Sequence, residues 1–275
     1  MIEVASFSKC YETGDASGAA IAVDRLSFCV RPGQVLGLVG RNGAGKTTTL
    51  RSIAGIIPAT EGKIRVHDFD LNDTPIEAKR KTAYVPDDPQ LFEDLSVEQH
   101  LQFQSSVYGI EDPSDAIARL LDRFELTDKR HARADSLSRG MRQKLAICSA
   151  YLQEPAALLL DEPMTGLDPQ AIRELKVSVT EQADQGVAVI ISSHLLAMVE
   201  SICSHILVLD RGRCKFHGTV EELHQTFNDS EVDAKSLEDA FFSALGDVDA
   251  AVHSEISGAT ISEDVPLNRE VQVRS

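Results

Sequence analysis

The sequence predicts an α/β fold with a helical insertion and a small antiparallel β region at its amino end. Three observations support this prediction. A short apolar run at 35–39 leads through a glycine-rich loop into a segment with helical spacing. Further apolar runs of strand length follow at 157–160, 187–192 and 206–209. Between these two groups of strands, residues 96–155 follow helical periodicity, so helices interrupt a sheet-forming core.

The boundaries of the elements carry local signals. Ser96 and Gln99 have the spacing of a capping box at a helix start, and Gly109 is a typical helix stop. Ser138 is expected to begin a long helix that ends near residue 153. Asp168, followed by proline, predicts the cap of a helix that ends near residue 186.

Charge is distributed unevenly along the chain. The 275 residues contain 27 Lys and Arg against 43 Asp and Glu, which gives a formal net charge of −16. From residue 219 to the end there are 13 acidic and 3 basic residues, so much of the excess lies in the last fifth. Because non-specific nucleic-acid binding depends on basic surface, we predict no nucleic-acid partner. The residues after about 247 read as a weakly ordered acidic tail.

The cysteines and the apolar runs bear on the compartment. Five widely spaced cysteines without a CxxC pair argue against a zinc site and a disulfide framework, and favour a reducing cytoplasm. The amino-terminal residues lack an apolar core of signal-peptide length, and the longest apolar stretches are far shorter than a bilayer span. If the protein works at a membrane, another subunit must cross it.

The strongest motif is the sequence GRNGAGKT, which fits G-x-x-x-x-G-K-[ST]. Its strand–loop–helix context is the one in which backbone N–H groups and a helix N-terminus bind phosphate oxygens. Lys46 is expected to reach the β- and γ-phosphates, and the Thr47 hydroxyl to bind Mg²⁺. The predicted phosphate-binding residues are Gly40, Arg41, Asn42, Gly43, Ala44, Gly45, Lys46, Thr47 and Thr48.

Two carboxylates follow the apolar strand at 157–160. Asp161 is predicted to hold Mg²⁺ through water, and Glu162 to orient and deprotonate the water that attacks the γ-phosphate. A strand that ends in two solvated acids is common by itself. The phosphate loop elsewhere in the chain is what favours the functional interpretation.

Two further positions remain ambiguous on sequence alone. His194 follows the strand at 187–192 and so reaches the sheet edge where ligands bind, which makes it a candidate catalytic residue. Its alternative role is a surface histidine that caps a helix over Leu195–Ile202. Ser138 within LSRGM reads, taken alone, as an ordinary helix N-cap.

The chain resembles the nucleotide-binding subunit of ABC transporters over roughly residues 2–217. The resemblance rests on five motifs in this order: the phosphate loop, LSRGM, LLLDEP, TGLD and SSH. The resemblance implies a RecA-like P-loop NTPase core at 2–88 and 156–235 with an inserted helical subdomain at 89–155. A short helix and the acidic tail would then occupy 236–275.

The resemblance also implies an assembly. Two copies would pair head to tail, with each ATP between the phosphate loop of one copy and Ser138 and Gly140 of the other. Tyr11 would stack on adenine, its alternative being an exposed tyrosine at a sheet edge. Asp168 would face the partner copy, a role compatible with capping its helix.

Two positions depart from the family pattern. Asp87 stands where the family usually has glutamine; an aspartate can accept a hydrogen bond from a Mg²⁺-bound water but cannot donate one. Arg139 and Met141 replace the glycine and glutamine of many signature motifs, whereas Ser138 and Gly140 are kept. These features most resemble the exporter branch often called ABC-2.

The sequence therefore predicts a Mg²⁺-dependent ATPase that binds ATP and Mg²⁺ and drives a separate transmembrane permease. The resemblance implies export as the direction of transport. Its expected location is the cytoplasmic face of the cell membrane, held there by the permease. The alternatives are a soluble ATPase of the same superfamily that acts on DNA or ribosomes, and a switch that binds ATP without turnover. The glutamate at 162 argues against the second alternative.

Overall fold

The structure, a computed structural model, describes residues 1–12, 19–194 and 199–228. In chain order its strands are β1 Ile2–Glu12, β2 Ala19–Val30, β3 Val35–Val39, β4 Glu61–Val66, β5 Phe69–Asp70, β6 Thr82–Val85, β7 Ala157–Asp161, β8 Ala188–Ser193, β9 His205–Asp210 and β10 Arg213–Thr219. Its helices are α1 Lys46–Ile53, α2 Pro75–Arg80, α3 Val97–Tyr108, α4 Ser114–Arg123, α5 Arg139–Leu152, α6 Pro169–Asp184 and α7 Val220–Asn228. The proposed acidic tail at 236–275 lies outside the described residues.

Within the described residues the strands form two sheets. A six-stranded sheet has the order β10-β9-β3-β8-β7-β6, and all of its pairs are parallel except β10–β9. A four-stranded antiparallel sheet has the order β2-β1-β4-β5. This arrangement confirms the predicted α/β fold with an antiparallel β region at the amino end.

The central strands of the large sheet are apolar on both faces because both faces are covered. On one face Leu36, Leu159 and Ile190 pack with α1 and the small sheet. On the other face Leu158 and Leu160 pack with apolar side chains from α4, α5 and α6. Side chains alternate between faces along a strand, so a single run such as LLL contributes to both cores.

Helices α3, α5 and α6 begin and end near the residues that the sequence predicted. Ser96 and Gln99 form a capping box at the start of α3, and Gly109 ends that helix with φ 69°. Ser138 caps α5, which continues to Leu152. Asp168 caps α6, with proline at its first position. The predicted helix over Leu195–Ile202 lies partly outside the described residues.

Candidate nucleotide site

The phosphate loop, the two carboxylates and His194 lie at one edge of the large sheet. The phosphate loop follows β3, the two carboxylates end or follow β7, and His194 follows β8. These strands are adjacent and parallel, so their carboxyl ends lie side by side. This is the edge at which open α/β sheets bind ligands.

The glycines of the phosphate loop are required by its close packing. A Cβ on Gly40 would lie 2.3 Å from the Leu209 carbonyl oxygen, and one on Gly45 would lie 2.6 Å from that of Ala22. Gly45 also has φ 105° and directly precedes α1, which has no side-chain cap. The N–H groups of the first turn therefore stay available for an anion, as a phosphate site requires.

Lys46 connects the loop to the carboxylates. Its side chain is 7% exposed, and its ammonium donates a hydrogen bond to the Gly40 carbonyl oxygen at 2.8 Å. The same nitrogen lies 3.7 Å from Glu162 Oε1. The ammonium is thus held beside the loop by a carbonyl and a carboxylate, the kinds of group that phosphate oxygens would supplement or replace.

Asp161 is fixed by two hydroxyl donors. It is 2% exposed, and its Oδ1 accepts a hydrogen bond from Ser192 Oγ at 2.6 Å. Its Oδ2 accepts one from the Tyr84 hydroxyl at 3.2 Å. Burial, with the nearby Asp161 charge, raises the pKa of Tyr84 to about 12, so this phenol stays protonated and able to donate.

Glu162 adopts an uncommon backbone conformation, with φ 47°. Its N–H donates to the Ser192 carbonyl oxygen at 3.2 Å and to Ser192 Oγ at 3.0 Å, which holds the chain in this turn. The side chain then points to the phosphate loop on one side and to His194 on the other. Its Oε2 lies 2.8 Å from His194 Nδ1.

A cavity of about 290 Å³ opens beside Lys46 and Glu162. Its lining includes the phosphate loop, Asp87 and Glu162, together with Ala22, which the sequence analysis did not single out. A larger hollow of about 570 Å³ beside Arg119 and Arg123 lies at the far ends of α5 and α6 and lacks a phosphate-binding loop. We therefore take the smaller cavity as the candidate site.

The structure does not bring every predicted residue to this cavity. Gly40, Asp161 and His194 lie at the same sheet edge but are not among its lining residues. Ser138 and Gly140 lie at the start of α5 and are not among its lining residues.

Tyr11 is 42% exposed and also does not line the cavity. The tyrosine lies at the end of β1, where this strand pairs with β2 alone because its pairing with β4 extends only to Ser8. Its alternative description, an exposed tyrosine at a sheet edge, therefore fits the structure. The ammonium of Lys9 lies 5.1 Å from the Tyr11 ring centroid.

Asp168 fills its predicted capping role. Its Oδ1 accepts a hydrogen bond from the Ala171 N–H at 2.9 Å, and the Lys144 ammonium lies 3.7 Å from Oδ2. The Ala171 N–H and, to a smaller extent, Lys144 hold the pKa of this carboxyl below its usual value. It remains a charged helix cap at neutral pH.

Tyr84 and Ser192 were missed in the sequence analysis. The pairing of β7 with β8 places Ser192 directly opposite Asp161, and Tyr84 lies on β6, the other neighbour of β7. A hydroxyl residue at the end of a strand was the available signal. Its meaning depends on the strand order, which the sequence did not provide.

A strand, a phosphate loop and a helix, with an acidic pair at the end of a parallel strand of the same sheet, define a P-loop NTPase. A family model described as "ABC transporter" matches residues 23–165. The ABC-type transporter ATP-binding protein EcsA of Bacillus subtilis is 35% identical over 217 residues, which cover 78% of this chain and 88% of EcsA. The probable multidrug ABC transporter ATP-binding protein YbhF of Escherichia coli is 33% identical over 84% of this chain and 40% of YbhF. The chain therefore belongs to the ABC transporter family, as an ATP-binding subunit.

Solved structures agree with this assignment. An ATP-binding subunit of an ABC transporter, 32% identical, gives a TM-score of 0.80 and covers 89% of this chain and 99% of that one. The dimeric ATP-binding cassette MJ0796, in a post-hydrolysis state with ADP and Pi, gives a TM-score of 0.72 at 21% identity and supports the fold. In the described part of the chain, every helix is too short or too polar to cross a bilayer.

Proposed function

We propose that this protein hydrolyses ATP in a Mg²⁺-dependent reaction and uses the free energy to drive export through a separate transmembrane permease. The observation that carries the proposal is the convergence of Lys46 and Glu162 on the cavity at the phosphate loop. A cationic group for phosphate and a candidate base lie within 3.7 Å of each other. An ordinary glycine-rich turn has no need of this arrangement.

The chemistry assigns a role to each group. Lys46 and the loop N–H groups would bind the β- and γ-phosphates and stabilise charge that develops during transfer. Glu162 would accept the proton of the attacking water. His194, which contacts Glu162 through Nδ1, would orient that carboxylate and the γ-phosphate.

The residues proposed for Mg²⁺ fit that ion. Carboxylate and hydroxyl oxygens are the ligands it prefers, usually together with water and substrate phosphates. Each oxygen of Asp161 accepts one hydrogen bond and retains further lone pairs. The Thr47 side chain is exposed at the start of α1, and Asp87 lines the cavity. Mg²⁺, when bound, would neutralise phosphate charge.

The remaining predicted residues support a two-copy arrangement. Ser138 and Gly140 lie outside their own cavity, so in this proposal they complete the site of a second copy, most simply in a homodimer. The exposed N-terminus of α5 suits an incoming γ-phosphate. Tyr11, also exposed, would stack on adenine.

The partner and the location follow from the family. We propose a permease as the membrane-spanning partner and the cytoplasmic face of the membrane as the location. Export is supported by the resemblance to the ABC-2 branch, and YbhF, described as a probable multidrug transporter subunit, is one similar protein. The ATP-binding domain would cover 2–235, with its helical subdomain at 89–155. The formal charge of −16 favours no nucleic-acid partner.

The test compares the purified protein alone and reconstituted in vesicles with the permease that co-purifies with it. We expect ATP binding, basal hydrolysis that requires Mg²⁺, and faster hydrolysis with the permease. Binding without turnover in both preparations would favour the ATP switch. Turnover in a preparation from which no membrane protein co-purifies would favour a soluble ATPase.

A further inference from the structure

The two departures from the family's sequence pattern contact each other. Arg139 Nη2 donates a hydrogen bond to Asp87 Oδ1 at 2.9 Å, across 52 positions of the chain. The arginine belongs to the first turn of α5, and the aspartate follows β6 and lines the nucleotide cavity. The ion pair thus connects the cavity wall to the signature helix.

Arg139 is held from a second side. A Cβ on Gly166 would lie 3.3 Å from Arg139 Cδ, so the arginine chain packs over this glycine. Gly166 has φ 80° and lies in the loop between the carboxylate pair and α6. The guanidinium therefore reaches Asp87 from a supported position and is not simply a free surface charge.

Charge gives this contact a consequence for nucleotide binding. An aspartate at the cavity wall repels the phosphates of metal-free ATP, and Arg139 offsets that repulsion. When Mg²⁺ accompanies the nucleotide, the same carboxylate attracts the ion, and Arg139 then competes with it. Removing the arginine should weaken metal-free binding relative to binding with Mg²⁺.

We propose that Arg139 is a positioning residue that holds Asp87 and thereby sets how strongly nucleotide binding depends on Mg²⁺. The proposal rests on the proposed function, since it concerns nucleotide at the phosphate loop. The two side chains are 47% and 48% exposed. The coupling energy of an exposed ion pair is small, so we expect the Mg²⁺ dependence of nucleotide binding to change by about two- to fivefold when the pair is broken.

The experiment measures the dissociation constant of AMP-PNP, a non-hydrolysable ATP analogue, in EDTA and in excess Mg²⁺. The ratio of the first constant to the second defines the Mg²⁺ dependence. Arg139→Gln should raise this ratio about two- to fivefold, and Asp87→Asn should lower it. The double variant should match Asp87→Asn alone, because the arginine then has no carboxylate to hold.

Arg133→Gln is the matched control. Arg133 is 55% exposed and is paired with Asp94 at 2.6 Å. Like Arg139, it lies between β6 and β7 in the chain, and it does not line the cavity. The ratio of the two dissociation constants in this variant should equal that of the unmodified protein. An equal change in Arg133→Gln, no change in Arg139→Gln, or a change that persists in the Asp87→Asn background would overturn the proposal.

Failure of the proposed function gives a different result. If the unmodified protein does not bind AMP-PNP under either condition, the nucleotide site itself is wrong. If it binds and only the effect of Arg139 is missing, the site stands and the role of the ion pair is refuted. Both side chains are about half exposed, so neither substitution leaves a buried cavity.

Discussion

The phosphate-loop edge of the sheet and the first turn of α5 are built differently. At the sheet edge Lys46 and Asp161 are nearly buried, and their partners come from β6, β8, the loop itself and the glutamate that follows β7. At the start of α5, Ser138 is exposed, and its hydroxyl accepts the N–H of Met141 at 3.3 Å. The side chains of the first region are held in place by contacts within one chain. The second region leaves Ser138 exposed to solvent, where a second copy could reach it.

The largest expected effect is on turnover, at the sheet edge. Glu162→Gln keeps the shape of the side chain but removes the base, so hydrolysis should fall about 10²- to 10⁴-fold while ATP binding is nearly retained. Steady-state phosphate release and calorimetric ATP binding would measure the two quantities. Size-exclusion chromatography with ATP should also show a trapped dimer. Retention of more than about a tenth of the rate would show that Glu162 is not the base.

The Lys46→Ala variant should lose ATP binding, the step that precedes hydrolysis. The lysine offsets triphosphate charge in the ground state, so ATP affinity should fall at least about tenfold. Calorimetry would measure it against Lys129→Ala, which removes an exposed lysine in the turn after α4. Equal affinities for the two variants would contradict the phosphate-loop assignment.

Gly140→Ala tests the contact between α5 and the loop at Gly166. The added Cβ would lie 2.6 Å from the Gly166 carbonyl oxygen, closer than atoms can pack. The free energy of unfolding, measured with urea, should fall by about 1–3 kcal/mol. In an unobstructed helix the same substitution would stabilise the protein by about 1 kcal/mol. A rise in the free energy of unfolding would therefore show that the close contact with Gly166 does not exist.

Ser138→Ala should have the smallest effect on stability, and it separates capping from function. Loss of the cap should lower the free energy of unfolding by about 1 kcal/mol. Ser96→Ala removes a comparable cap from α3 and provides the matched control. If the two-copy arrangement holds, only the Ser138 variant should lose ATPase activity. Equal activities in the two variants would mean that Ser138 is a cap and nothing more.

The sequence predicted the parts of the site that depend on local pattern. Lys46 and Asp161 lie within contiguous motifs whose spacing reflects the strand–loop–helix geometry. Tyr84, Ser192 and the contact of Asp87 with Arg139 could not be predicted, because they arise from strand order and from the packing of distant segments. Propensity and spacing describe neighbours in sequence, whereas these contacts are neighbours only in the folded chain.

Ser192 has a consequence for how the site can be altered. One hydroxyl donates to the Asp161 carboxylate and accepts the N–H of Glu162, so a single side chain serves two neighbouring acids. A substitution there disturbs the proposed metal ligand and the proposed base in one step. An engineer or a selection experiment that aims to adjust metal preference without changing turnover must therefore approach Asp161 from the Tyr84 side.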